Sequence, residues 1–83
     1  MDKSIYSKNY QVSLSLLKQA RIDAGLTQTE LATKLNETQT FVSKCERSER
    51  RLDIAEMREF CIALGLSFQS FVEDMEKELR KSK

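Results

Sequence analysis

The sequence predicts an all-α fold, a five-helix bundle in one small domain. The chain has 83 residues, no proline and two glycines, and a chain of this length forms a single domain. With so few residues that break the backbone, a sandwich or barrel with many tight turns is implausible. Apolar residues recur instead at helical spacing in five segments, and short polar turns separate these segments.

The first predicted helix is marked by Leu14, Leu17 and Ala20. Gly25 is suited to follow its last turn, because glycine readily takes the left-handed conformation found there.

The predicted domain begins after an N-terminal extension. We expect residues 1–12 to form an extension that is partly disordered, residues 13–79 to form the domain, and residues 80–83 to form a tail. Tyr6 and Tyr10 either pack across the first helix or belong to the disordered part.

Two short helices come next. Thr27 and Glu30 are spaced as a capping box, in which each side chain bonds a backbone N–H of the other's turn. Asn36 is suited to end this helix because it tolerates the left-handed conformation, and Thr38 is the N-cap of the following helix. The apolar faces consist of Leu31, Ala32 and Leu35, then Phe41, Val42 and Cys45. Two short helices joined by about three residues have the proportions of a helix-turn-helix.

Two further helices complete the bundle. Asp53 is the N-cap of the fourth, Gly65 ends it, and Ser67 is the N-cap of the fifth. The apolar side of the fourth helix consists of Ile54, Met57, Cys61 and Leu64. That of the fifth consists of Phe68, Phe71, Val72, Met75 and Leu79.

Composition excludes several functional classes. The chain has no histidine, which removes Ser-His-Asp and Cys-His catalysis in their usual form and the commonest zinc and iron sites. We expect no enzymatic activity, no metal and no other cofactor. No apolar run approaches the roughly 18 residues of a membrane span, and residues 1–10 lack the apolar core of a signal peptide. We therefore expect a cytoplasmic protein with no membrane contact. Because the chain has no second domain that could act as a sensor, we expect no small-molecule ligand.

The two cysteines and the charge pattern narrow the function further. Cys45 and Cys61 lie among apolar residues without C-x-x-C spacing, so we interpret them as reduced core residues, with a redox switch as the alternative. The net charge is +1, so binding to nucleic acid must depend on local charge. Residues 38–51 hold two acidic residues and four basic ones, which are Lys44, Arg47, Arg50 and Arg51. A solvated face is the ordinary explanation of such a run, but beside a complete helix-turn-helix pattern the run indicates an anionic partner.

One segment carries a family resemblance. From Gly25 to Asp53 the chain reads GLTQTELATKLNETQTFVSKCERSERRLD. Its fixed offsets between Leu-Thr-Gln, Glu-Leu-Ala, Val-Ser-Lys and Glu-Arg resemble the phage repressor and Cro-like family, also called XRE-like regulators. The resemblance covers about Leu17 to Phe71. It implies a lambda-repressor-like fold that binds double-stranded DNA.

The resemblance also implies which residues contact DNA. Phosphates would be contacted at the start of the two motif helices, by Gln28 and Thr38. The second motif helix, about Thr38 to Arg47, corresponds to the family's recognition helix. Base edges in the major groove would face its exposed side, at Gln39, Thr40, Ser43 and Lys44. Where the chain leaves this helix, the DNA backbone would be contacted by Arg47, Arg50 and Arg51. Side-chain chemistry agrees, because Gln pairs with adenine, Lys reaches guanine and Thr offers a methyl group to thymine.

Three residues depart from the family pattern. Asn36 and Ser48 stand where glycine is usual, and Glu37 stands where an apolar residue is usual and places a negative charge near DNA. The resemblance further implies a partly buried ion pair between Arg21 and Glu46. Two unrelated surface charges are the alternative.

The apolar side of the fifth helix exceeds what a four-helix core can cover. Phe68 and Phe71 are expected to close the core, and the predicted dimer interface consists of Phe71, Val72 and Met75. The resemblance then implies a homodimeric, sequence-specific transcriptional regulator on a two-fold operator, which controls its own transcription. Restriction–modification controller proteins, Cro-like repressors and antitoxins are similar stand-alone domains, and the compact length and extended last helix favour the controller type. The alternative is an antitoxin or a protein-interaction module that retains the fold.

Overall fold

Five α-helices form the part of the protein that the structure, a computed structural model, describes, which is residues 7–81. Within that range there is no strand. The helices are α1 (Lys8–Asp23), α2 (Gln28–Leu35), α3 (Gln39–Glu46), α4 (Ile54–Ala63) and α5 (Phe68–Lys81). The predicted all-α fold of five helices is confirmed.

Helix α1 begins earlier than the sequence suggested. The Ser7 hydroxyl accepts the backbone N–H of Tyr10 at 3.2 Å and caps the helix. Residues 8–12 therefore belong to α1, although they fall within the predicted extension. The side chain of Tyr10 packs against the core, and this contact favours an ordered first turn. Tyr6 lies outside the described residues.

The two motif helices are capped as predicted. Thr27 Oγ1 accepts the N–H of Glu30 at 3.0 Å, and Glu30 Oε1 accepts the N–H of Thr27 at 2.8 Å. Hydrogen bonds from the backbone N–H and the side chain of Thr27 to the Glu30 carboxyl hold its pKa below its usual value. Asn36 takes the left-handed conformation with φ 58° and ψ 41°. Thr38 Oγ1 then accepts the N–H of Phe41 at 3.1 Å and starts α3.

The core lies where all five helices meet. Helix α1 packs against α3 and α5, and α4 packs against α2 and α5. The buried apolar residues are Leu14, Leu17, Leu31, Ala32, Val42, Cys45, Leu52, Phe60, Cys61, Leu64 and Phe71. Burial raises the pKa of both cysteine thiols to about 11. Such thiols stay protonated near neutral pH. The burial of both side chains confirms their interpretation as core residues.

Helix α4 differs from its predicted pattern at one end. Asp53 is the predicted N-cap, and with Glu56 it also forms a second capping box, with bonds of 2.7 and 2.9 Å. Ile54 was assigned to the apolar side of this helix, yet it is 72% exposed. The assignment is wrong because Ile54 occupies the first helical position, ahead of the turn that contacts the core.

The left-handed residue between α2 and α3 yields a prediction. Asn36→Ala should lower the free energy of unfolding by about 1 kcal/mol, because the Ala Cβ is disfavoured in this conformation. Asn36→Gly should leave stability unchanged or raise it, since glycine takes the conformation freely. Urea unfolding measures both, with the exposed Lys34→Ala in the same helix as the control. Equal stability of the Ala and Asn proteins would contradict the assignment.

Candidate nucleic-acid interface

Helix α3 has one face in the core and one face in solvent. Val42 and Cys45 are 0% and 1% exposed and anchor the inner face. The outer face presents the side chains predicted to contact DNA, with Ser43 half-buried and four residues exposed: Gln39, Thr40, Lys44 and Arg47. The structure thus brings these five residues together on one surface. Their contact with DNA stays a prediction.

A buried ion pair joins α1 to the end of α3. Arg21 Nε donates to Glu46 Oε2 at 2.7 Å, and Nη2 donates to Oε1 at 3.1 Å. The third guanidinium nitrogen, Nη1, donates to the backbone oxygen of Leu26 at 2.8 Å. The two side chains are only 12% and 7% exposed. This geometry confirms the expected pair and is the bidentate arrangement that favours Arg over Lys.

The Glu46 carboxylate also accepts a hydrogen bond from the first of two linked side-chain amides. Gln28 Nε2 donates to Glu46 Oε1 at 2.9 Å, and Gln28 Oε1 accepts from Gln39 Nε2 at 2.7 Å. An ionised carboxylate only accepts hydrogen bonds. The nitrogen of Gln28 must therefore face Glu46, its oxygen must face α3, and Gln39 must turn its nitrogen toward Gln28. One buried carboxylate thus sets the amide orientation of a residue on the outer face of α3.

Gln28 consequently has a contact that the sequence did not predict. The resemblance implied an amide directed at a DNA phosphate, and the structure shows this amide bonded to Glu46 and Gln39. An amide nitrogen carries two N–H groups, so one remains for a phosphate oxygen. The link between Gln28 and Gln39 joins the first positions of two helices, and no local sequence signal identifies it.

The basic residues after α3 differ in their surroundings. The guanidinium of Arg50 lies 4.7 Å from the centre of the Phe41 ring and bonds Glu56 at 3.0 Å. It also donates to the backbone oxygen of Arg51 at 2.7 Å. Arg50 and the backbone N–H of Asp53 hold the pKa of Glu56 below its usual value. Arg50 was predicted to hold the DNA backbone, but in the structure it binds the start of α4.

Arg47 and Arg51 are exposed. Arg47 pairs with Glu49 at 3.1 Å, and the two side chains are 57% and 53% exposed. Solvent screens such a pair strongly, so a phosphate can displace the carboxylate at small cost.

Comparison with known proteins identifies the family. A family model described as Helix-turn-helix matches residues 17–71. The chain belongs to the XRE-type helix-turn-helix family. This is a family of DNA-binding regulators. The search of curated proteins gives no significant match.

Solved structures of XRE-type proteins superpose over most of the chain. An XRE-family like protein from Pseudomonas syringae pv. tomato str. DC3000 is 43% identical, with 92% of this chain and 93% of that chain covered and a TM-score of 0.83. The wild-type restriction-modification controller protein C.Esp1396I is 32% identical, with 88% and 96% covered and a TM-score of 0.82. A tetramer of that controller in complex with its natural 35 base-pair operator is also 32% identical, with 87% and 95% covered and a TM-score of 0.80.

The predicted dimer residues of this XRE-type chain separate into two groups. Phe71 is 4% exposed and belongs to the core of its own chain, so it has little surface for a partner. Val72 is 42% exposed and Met75 is half-buried. They line a largely apolar groove between α5 and the start of α4, together with Ile54, Met57 and, from the residues before α4, Arg51 and Asp53. The sequence did not indicate Ile54 as an interface residue, because its spacing also fits the core side of α4.

The described residues hold no cluster of acidic or cysteine side chains that is suited to bind a metal ion. Within residues 7–81, every helix is too short or too polar to cross a membrane.

The buried pair yields the second prediction. Glu46→Ala removes three acceptor contacts and leaves the Arg21 guanidinium without its carboxylate, so the free energy of unfolding should fall by about 3–5 kcal/mol. Urea unfolding measures the loss. The matched control is Glu49→Ala, which breaks the exposed pair with Arg47 and should cost at most about 1 kcal/mol. A loss below about 0.5 kcal/mol for Glu46→Ala would contradict a structural role for the pair.

Proposed function

We propose that the protein is a sequence-specific transcriptional regulator that binds double-stranded DNA as a homodimer on a two-fold operator and controls its own transcription. The observation that carries this proposal is on the outer face of α3. There the side chain of Gln39 is oriented by a series of hydrogen bonds that runs from Arg21 through Glu46 to Gln28. A recognition helix needs side chains that are exposed and already oriented, because ordering them on binding costs free energy.

Base recognition is assigned to the first turns of α3. Gln39 uses one N–H for Gln28, which leaves one N–H and the carbonyl oxygen, the pair that a bidentate contact with adenine requires. Lys44 is exposed further along the same face and is long enough to reach guanine O6 and N7. Thr40 and Ser43 lie between them, and Thr40 offers a methyl group to thymine.

Phosphate binding is assigned to residues around that face. Thr38 and Gln28 stand at the helix N-termini, where backbone N–H groups and the helix dipole favour an anion. Arg47 and Arg51 follow α3 and are exposed. Arg50 stacks on Phe41 and binds Glu56. We therefore expect it to contribute less to phosphate binding than the resemblance alone implied.

A similar solved protein supports the proposed binding to DNA. The controller protein C.Esp1396I, whose fold superposes over most of this chain, forms a tetramer in complex with its 35 base-pair operator. We infer that this chain binds DNA through the corresponding helix-turn-helix.

The proposed dimer interface is the groove beside α5. Ile54, Val72 and Met75 supply its accessible apolar surface, and Phe71 supports this surface from within the core. Association there would remove Ile54, the most exposed of the large apolar residues described, from water. A two-fold arrangement that reads successive major grooves places the two copies of α3 about 34–36 Å apart.

The test of DNA binding uses fluorescence anisotropy on two duplexes, one of random sequence and one taken from a footprint on the protein's own upstream region. The third prediction is that Lys44→Ala or Gln39→Ala costs about 1–3 kcal/mol on the footprinted site and little on random DNA. Arg51→Ala should weaken both alike and reduce the salt slope by about one unit per lost contact.

Glu37→Gln is the control in the opposite direction, because it removes a negative charge near DNA and should tighten binding to both duplexes. The same profile for Lys44→Ala and Arg51→Ala would show that the recognition face is misassigned. Binding to duplex without steep salt dependence would favour the alternative function, a protein-interaction module or antitoxin that retains the fold.

The fourth prediction concerns the dimer. Val72→Glu should shift sedimentation toward the monomer, because a charge would be buried against the apolar groove of the partner. Ile62→Glu is the matched control, since Ile62 is 53% exposed on α4 but does not line that groove. A wild-type protein that sediments as a monomer at high micromolar concentration would contradict the interface.

A further inference from the structure

The turn after α3 holds a residue in an unfavourable conformation. Ser48 has φ 63°, in the left-handed region. A residue with a Cβ is disfavoured there, and serine is less tolerant than glycine or asparagine. Ser48 directly follows Arg47, the C-cap of α3. Its backbone therefore sets the direction in which the chain leaves the recognition helix.

A side chain from α1 binds this residue. Gln11 Nε2 donates to the Ser48 hydroxyl at 2.9 Å, and the hydroxyl donates to Gln11 Oε1 at 3.2 Å. Both residues are half-buried. The hydroxyl is thus bonded in both directions, and these bonds are available only while Ser48 keeps its present orientation.

A second contact from α1 holds the other end of the same segment. The hydroxyl of Tyr10, the neighbour of Gln11, accepts the backbone N–H of Leu52 at 2.8 Å. Leu52 is 3% exposed. Residues 48–52, which we call the exit segment, are therefore attached to α1 at both ends. The exit segment carries Arg51 and directly follows Arg47, and both arginines belong to the proposed phosphate-binding set.

We infer that Gln11 is a positioning residue for DNA binding: by holding Ser48 in the left-handed conformation, it fixes the exit segment so that Arg51, and Arg47 just before the segment, meet the DNA backbone. This inference rests on the proposed function. Gln11 has no assigned contact with base edges, so its loss acts on phosphate contacts and weakens binding to any duplex. We call the hydrogen bonds between Gln11 and Ser48 the brace. Serine at position 48 makes the brace necessary, because glycine would keep the left-handed conformation without these bonds.

The test is a double-mutant cycle on a fluorescein-labelled duplex of random sequence. Gln11→Ala should weaken binding about fivefold. Ser48→Gly should bind within about twofold of wild type, since glycine takes φ 63° freely. The protein with both substitutions should bind like Ser48→Gly, because the turn no longer depends on the side chain from α1. The control is Gln19→Ala, which removes a bond to Asp23 within α1 and should leave affinity unchanged.

A second measurement, hydrogen exchange, tests the contact between Gln11 and Ser48 in the absence of DNA. The N–H groups of Glu49 and Arg50 bond the backbone oxygen of Lys44 at 2.8 and 3.2 Å, so their hydrogen exchange reports the order of the exit segment. Exchange should accelerate in Gln11→Ala and return to the wild-type rate in the double variant.

Three outcomes would overturn the inference. In the first, Gln11→Ala keeps the affinity and the hydrogen exchange of the wild type. In the second, Gln11→Ala and the double variant lose affinity equally. In the third, the loss is found only on a specific operator and not on random DNA. A wild-type protein that fails to bind duplex would refute the proposed function and the DNA role of Gln11. The exchange rates would still show whether the brace exists.

Discussion

The buried pair between Arg21 and Glu46 is the constraint on which the recognition surface depends. A carboxylate that is only 7% exposed must have its hydrogen bonds satisfied by protein groups. Arg21 and Gln28 supply them, and each bond requires its donor in one orientation. The oxygen of Gln28 is thereby directed at Gln39. An interaction inside the protein thus determines which hydrogen-bonding groups the surface of α3 presents.

Helix α1 holds the C-terminal end of the recognition helix and the segment that follows it, although no residue of α1 is assigned to DNA. Near its C-terminus, Arg21 binds Glu46 and the backbone of Leu26, which precedes α2. Near its N-terminus, Tyr10 and Gln11 hold the exit segment. A chain of this size buries little apolar surface. Side-chain hydrogen bonds between helices therefore supply orientation that a small core leaves undetermined.

Charge is also organised by tertiary contacts rather than by composition. Basic and acidic residues nearly cancel over the whole chain, so the potential near DNA depends on which arginines are already paired. Glu56 neutralises Arg50 beside Phe41, while the Glu49 that pairs with Arg47 is more than half exposed. The Arg50–Glu56 pair is less exposed, at 42% and 32%, and Arg50 also stacks on Phe41, so Arg50 exchanges its partner less readily than Arg47 does. The two arginines are therefore unequal in the phosphate contact they can make.

The sequence by itself determined the five helices, the capped ends of α2, α3 and α4, and the outer face of α3. Capping at Thr27, Thr38 and Asp53 and the left-handed turn at Asn36 involve residues a few positions apart, so the local pattern decides them. Helical periodicity fixes which side of α3 is opposite Val42. Only the tertiary structure decided what these elements meet. It placed Phe71 in its own core, left Ile54 in solvent and turned Arg50 toward Glu56. It also connected Gln11 with Ser48, 37 positions apart, because such contacts depend on how the helices cross, and spacing along the chain does not encode that geometry.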